Sequence, residues 1–290
     1  MAPFIGWLLL ALGMALGPAA GQASPEGLRV EGAWSRDAVW DDGQAEVAHY
    51  DSRRRVYAVE RAFETVIITV KEDFDRGRAV KADPPYAGRD LVTVLKMNVL
   101  SRIQTENYPY NYMTSVFVKR EDPGVLVKLA GSSQEWCGTT FKEVVTWDGM
   151  PYLLFHSYFD GQGDGRHPLA LGRESLLEDQ LLLALRGARL QQGLPYRFNL
   201  YDSLITNSVR PPAAHAVSAT FVGAEDVTVP AGSFRAERIE VKPEAGRLRD
   251  RPSLVYWIEQ GGMRALVKWE ASDGRSLALK AIARRNYWSG

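Results

Sequence analysis

The chain has 290 residues, of which 46% are hydrophobic, and its 35 basic and 35 acidic side chains leave no net charge. This hydrophobic fraction is ordinary for a globular protein and can fill a core. The balanced charge argues against a general nucleic-acid or anionic-membrane binder, because either would carry a basic excess. The single cysteine, Cys137, excludes an intramolecular disulfide.

Residues 1–23 have the features of a cleavable signal peptide. Phe4 to Leu16 form an apolar run, which is shorter than the about 20 residues that span a bilayer. Ala20-Gly21-Gln22-Ala23 follows as an A-x-A-like cleavage site. We therefore expect an exported protein, periplasmic or extracellular, whose mature chain is 24–290 and has no stable membrane span after cleavage.

Most of the mature chain has the pattern of β-strands. Residues 63–70 and 91–103 are rich in β-branched and other apolar side chains. Residues 44–50 and 54–60 are shorter strand candidates around a polar turn at 51–53. Short loops join antiparallel neighbours, whereas parallel pairs need long crossovers. These patterns predict a mainly β protein, built as a large curved antiparallel sheet or an open barrel.

One helix is predicted over about residues 174–190. Its apolar positions share one helical face: Leu177, Leu181, Ala184, Leu185 and Ala188. Acidic side chains come early and arginines late, which complements the helix dipole. We expect an amphipathic helix that packs on the sheet within a single β-rich domain. Pro211-Pro212 marks a candidate boundary between two lobes near 205–216.

The segment Val227 to Ala236 reads VTVPAGSFRA. It resembles the VPAG-[ST]-F hairpin of exported bacterial proteins with a domain of unknown function, DUF3108. Trp257 and the Asp273-Gly274 turn also fit that pattern, and the resemblance covers roughly residues 195–287. It implies a curved antiparallel sheet and carries no catalytic residues.

Tyr108, Tyr110 and Tyr112 alternate with other residues. Period-two spacing puts all three rings on one face of an extended segment. Together with Trp136 they are candidates to line a ligand cleft, because aromatic side chains combine a large contact area with a polar tip. Simple packing on a sheet face is the alternative interpretation.

Cys137 and His156 complete the set of candidate binding residues. A nucleophilic Cys–His pair requires hydrogen-bond contact. A hairpin turn at Asp148-Gly149, however, would place His156 opposite residue 141 or 142, about five positions from Cys137, or roughly 15 Å. A buried and inert Cys137 is therefore the preferred interpretation, and we predict no catalytic residues.

The sequence also predicts no metal and no cofactor. The histidines and the cysteine lack ligand spacing. Asp160 to Gly165 matches the start of a calcium loop, but Leu171 stands where a bidentate Glu is required. Arg53-Arg54-Arg55, at the predicted turn, is interpreted as a solvated group of charges.

The leading hypothesis is a non-catalytic envelope protein that binds a lipid-like or other hydrophobic ligand, or an envelope protein partner. It rests on analogy from the predicted architecture and on the aromatic residues. The first alternative is a secreted hydrolase with a site near Glu135, Cys137 and His156, which must then converge in one pocket. The second is a purely structural surface protein, which predicts a packed sheet without a sizeable cavity.

Overall fold

The computed structural model describes residues 1, 27–146, 150–172, 174–244 and 251–288. The predicted signal peptide, apart from Met1, lies outside the described residues. In the described part, a 3-10 helix (Ala38–Asp41) precedes sixteen strands and one α-helix. The strands are β1 (Ala45–Val56), β2 (Val59–Asp75), β3 (Val80–Lys81), β4 (Leu91–Gln104), β5 (Pro109–Lys119), β6 (Leu126–Glu135), β7 (Gly138–Val145), β8 (Tyr152–Ser157), β9 (Gly163–Pro168), β10 (Ser175–Leu177), β11 (Pro195–Tyr201), β12 (Ala214–Val229), β13 (Gly232–Pro243), β14 (Leu254–Glu259), β15 (Leu266–Ala271) and β16 (Ser276–Arg285). The helix α1 (Glu178–Gly187) lies between β10 and β11.

All strands belong to one sheet. Their order is β10-β11-β12-β13-β14-β15-β16-β1-β2-β4-β5-β6-β7-β8-β9, and β3 pairs with β2 outside this path. Every pair is antiparallel except β10 with β11. The two edge strands, β9 and β10, follow each other in the chain, yet the sheet does not close between them. The predicted mainly β, curved antiparallel sheet is confirmed.

Alternation along the strands gives the sheet a buried concave face. On β4, Leu95, Met97 and Val99 point to this face and are at most 5% exposed. Leu181 and Leu185 of α1 belong to the same hydrophobic cluster. Sheet and helix therefore share one main core, because the helix lies within the curve of the sheet.

Helix α1 is shorter than the predicted 174–190, and its polar side is buried as well as its apolar side. Glu178, Asp179 and Arg186 are each less than 9% exposed. Arg186 makes two hydrogen bonds of 2.7 Å to the carboxylate of Glu46 on β1. Since the sheet curves around the helix, the charged side chains meet partners on the sheet and its loops instead of solvent.

The predicted turn at 51–53 is wrong, because β1 and β2 form one long hairpin. Their register is unbroken from Glu46 opposite Thr69 to Val56 opposite Val59. The chain reverses at Tyr57-Ala58, which have φ angles of 51° and 62°. Positive φ at two non-glycine residues is uncommon, and neither residue is one that two-residue hairpin turns favour. The turn therefore carries no sequence signal.

Residues 202–213 connect β11 to β12 and are called the crossing segment here. Lys142 Nζ on β7 donates hydrogen bonds of 2.8 and 2.9 Å to the carbonyls of Thr206 and Ser208. On the helix side, the Leu204 N–H donates to the Asp179 carboxylate at 2.8 Å. The segment that contains Pro211-Pro212 thus ties α1 to strand β7, which lies near the opposite edge of the sheet.

Candidate functional site

A cavity of about 720 Å³ lies between the concave face, the start of α1 and the crossing segment. This volume falls in the range of small-molecule sites, which are about 300–1,000 Å³. Its apolar wall includes Val99, Ile103, Leu182, Ile205, Trp269 and Leu277. Its polar wall includes Arg54, Thr65, Ser101, Asp179, Arg251 and Arg275. The cavity therefore has a mainly apolar wall, and charged side chains lie at its border.

The three tyrosines form a row on the concave side of β5, as their alternation predicts. The ring centroids of Tyr108 and Tyr110 are 5.5 Å apart, and those of Tyr110 and Tyr112 are 6.2 Å apart. Tyr112 lies next to Arg54, whose guanidinium carbon is 5.4 Å from the ring centroid. The row thus reaches a side chain of the cavity wall, while Tyr108 ends it at the β4–β5 turn.

The phenol groups of the row stay protonated at neutral pH. Burial and the hydrogen bond to Tyr57 raise the pKa of Tyr110 far above its ordinary value. The hydrogen bond with Cys137 is the largest effect that raises the pKa of Tyr108 to about 12. Burial raises the pKa of Tyr112. The row is therefore a neutral aromatic surface and supplies no phenolate nucleophile.

Cys137 is exposed, which corrects the expectation of a buried thiol. Trp136 and Cys137 form the turn between β6 and β7. The Trp136 ring stacks on Tyr108 at 5.9 Å and is 77% exposed. The Cys137 thiol donates to the Tyr108 hydroxyl at 3.2 Å. The structure thus brings together five of the six predicted site residues.

His156 is the residue that stays apart. It pairs with Phe141 in the β7–β8 ladder, as the predicted hairpin register requires. Its neighbours Leu153 and Phe155 are buried, so alternation points His156 outwards, where Nδ1 lies 3.3 Å from Asp164. Glu135 instead accepts a hydrogen bond of 2.9 Å from Asn207 in the crossing segment. Glu135, Cys137 and His156 therefore do not converge on one point.

Two of the cavity arginines are neutralised by carboxylates. Arg251 makes ion pairs of 2.6 Å with both Glu178 and Asp202. Arg275 makes ion pairs of 2.7 Å with Glu178 and 2.8 Å with Asp273. These contacts hold the loops at the cavity border to the first turn of α1. No sequence motif marked this network, since its members are far apart in the chain.

Arg54 differs from these two arginines. The predicted turn at Arg53-Arg54-Arg55 is wrong, because all three lie within β1. Arg53 and Arg55 are exposed, as expected for solvated charges, whereas Arg54 is half-buried. Alternation from Tyr50 and Ser52, both buried, puts Arg54 on the concave face. Its Nη2 donates to the Ile205 carbonyl at 3.0 Å, and burial lowers its pKa. A guanidinium remains charged in proteins.

Asp179 and Lys142 are buried titratable groups beneath the crossing segment. Burial raises the pKa of Asp179 to about 6, against the opposing effect of the hydrogen bonds from Ser203 and Leu204. Burial lowers the pKa of Lys142 to about 8. Both groups hold backbone or hydroxyl groups of the crossing segment.

Within the described ranges, no group of three or more His, Cys, Asp or Glu side chains is arranged to hold a metal ion. In the same ranges no helix combines the length and the apolar character needed to cross a membrane.

A scan against family models finds no match to the chain, and a search of curated proteins finds none either. Among solved structures, the chain is similar to the crystal structure of a beta-barrel-like protein of domain of unknown function DUF1849 from Brucella abortus. That similarity has a TM-score of 0.47 and 9% sequence identity, and it covers 84% of this chain and 98% of the other. A likeness of this degree assigns no function.

Proposed function

We propose that this is an exported envelope protein that binds a lipid-like or other hydrophobic molecule without chemical conversion. The observation that carries the proposal is the cavity of about 720 Å³ between the sheet, α1 and the crossing segment. A purely structural protein has no need for a space of this size between its helix and its sheet, since these elements otherwise pack closely. The cavity wall is largely apolar, as expected for a hydrophobic ligand.

The hydrolase alternative receives less support from the same geometry. A Cys–His nucleophile requires hydrogen-bond contact between thiol and imidazole. Cys137 instead contacts Tyr108, and His156 contacts Asp164 on the outer face of the sheet. An envelope protein partner stays as the second candidate, since Trp136 and Tyr158 are 77% and 79% exposed at neighbouring turns.

The first test is native mass spectrometry of the protein, gently extracted from its source cells. We expect a mass above that of residues 24–290, with the excess removed by organic solvent. The released compound would identify the ligand class. A bare mass of residues 24–290 would favour the protein partner and count against the small-molecule proposal.

The second test places the ligand in this cavity. Ser101 lines the cavity on β4, so Ser101→Phe fills part of its volume. We expect this variant to bind the neutral dye Nile red at least about 10-fold more weakly than the unaltered protein, a loss of about 1.4 kcal/mol. Gln104→Phe, at an exposed position of the same strand, is the matched control. Equal binding by both variants would place the dye elsewhere.

A further inference from the structure

Among the described side chains of the cavity border, Arg54 has no carboxylate in ion-pair contact, and Glu178 and Asp273 act on its charge only from a longer distance. Arg251 and Arg275 each contact two carboxylates. Among the described residues, no carboxylate lies within 4.0 Å of Arg54, which also lines the cavity. Its named contacts are the Ile205 carbonyl and the Tyr112 ring. Both are polar or polarisable groups, and neither carries a negative charge, because the Tyr112 phenol is protonated.

A second arginine strengthens this charge. Arg61 on β2 stands directly opposite Arg54 in the ladder, and like charges in that position are destabilising. Arg61 has one ion pair, of 2.6 Å, with the largely exposed Glu106. Its Nε is buried without a hydrogen-bond acceptor in the described part of the chain. Of these two guanidinium groups on one face, Arg61 therefore has one carboxylate partner and Arg54 has none among the described residues.

Hydroxyl groups lie beside the two arginines on the same face. Ser52 Oγ donates to Thr65 Oγ1 at 2.8 Å, and Thr65 Oγ1 lies 3.0 Å from Ser101 Oγ. Thr65 and Ser101 line the cavity. Hydroxyls are donors as well as acceptors, so they add hydrogen-bond capacity next to the positive charge. The apolar wall begins beyond them, with Val99 and Ile103 on β4.

We propose that the cavity selects amphiphiles with an anionic head group, a carboxylate or a phosphate, and that Arg54 binds this head group. The inference rests on the proposed function, since it names the ligand class of the same cavity. A guanidinium presents paired N–H donors that match the two oxygens of a carboxylate or phosphate. The anion would supply the ion-pair partner that Arg54 lacks, while its chain would lie against the apolar wall.

The test measures dissociation constants, by isothermal titration calorimetry, for three ligands with the same chain: dodecanoate, dodecyl phosphate and dodecan-1-ol. We expect the unaltered protein to prefer at least one of the anions over the alcohol by about 10-fold or more. The tighter of the two identifies the head group. Arg54→Gln should reduce this preference to less than about 3-fold, and Arg235→Gln, which removes an exposed arginine paired with Asp226, should keep it.

The outcomes separate the two proposals. If the unaltered protein binds all three ligands equally, the anion inference fails and the proposed function stands. The inference fails too if Arg54→Gln retains the full preference. If none of the ligands binds, the proposed function fails as well. Should circular dichroism show that Arg54→Gln does not fold, Arg54→Met keeps a long unbranched side chain but removes the charge and the N–H donors, and an unchanged preference in that variant would overturn the inference.

Discussion

The substitution Asp179→Asn tests the electrostatics beneath the crossing segment. Asp179 is 4% exposed and accepts hydrogen bonds of 2.6 Å from Ser203 Oγ and 2.8 Å from the Leu204 N–H. Asparagine has nearly the same shape, and it can accept from Leu204 while it donates to Ser203. The substitution therefore keeps both hydrogen-bond partners, with the direction of the Ser203 bond reversed, and removes the buried negative charge, whose desolvation raises the pKa of Asp179 to about 6.

The size of the effect follows from the two pKa values. An aspartate in an unfolded chain has a pKa of about 4. Between about pH 4 and pH 6 the folded protein holds the Asp179 proton more tightly than the unfolded chain, so this group makes the free energy of unfolding fall as pH rises. The loss is complete above about pH 6 and amounts to about 3 kcal/mol. Asparagine does not titrate in this pH range, so the free energy of unfolding of the variant does not fall for this reason as pH rises.

The assay is urea unfolding of both proteins at about pH 4, 5, 6 and 7, with linear extrapolation to water. We expect the stability of Asp179→Asn relative to the unaltered protein to increase by about 2 kcal/mol across this range, because part of the change already lies below pH 4. Asp160→Asn, an exposed carboxylate in the β8–β9 turn, controls for loss of a surface charge. A difference that stays constant with pH, or that shrinks as pH rises, would refute the reasoning.

Three further predictions follow from single contacts. Because Cys137 is exposed, we expect it to react fully with 5,5′-dithiobis(2-nitrobenzoate) in the folded protein, and a requirement for denaturant would contradict its placement. Gly32→Ala would put a Cβ into steric conflict with the Glu121 carbonyl oxygen, so we expect the free energy of unfolding to fall by about 1–3 kcal/mol, seen as a lower thermal midpoint. An unchanged midpoint would speak against this close approach. Arg186→Met leaves the buried Glu46 carboxylate without its partner. We expect the free energy of unfolding in urea to fall by about 3–5 kcal/mol. The added substitution Glu46→Gln should restore part of that stability.

Local patterns in the sequence determined the strand content and part of the pairing. The β7–β8 register, with His156 opposite Phe141, agrees with the predicted hairpin. The alternation of Tyr108, Tyr110 and Tyr112 predicted the row of rings that the structure contains. Both features depend only on the period-two geometry of an extended chain and on neighbouring turns, so a few residues suffice to specify them.

Tertiary structure decided what those strands enclose. The turn at Tyr57-Ala58 has no glycine or asparagine to mark it. Because the turn comes after Val56, Arg54 lies within β1 and faces inwards, which the sequence alone did not indicate. The burial of Asp179 requires the sheet to curve around α1 and the crossing segment to lie over it. The pKa of a carboxylate and the presence of a cavity depend on groups that are distant in the chain, because burial is a property of the packed molecule and not of local sequence.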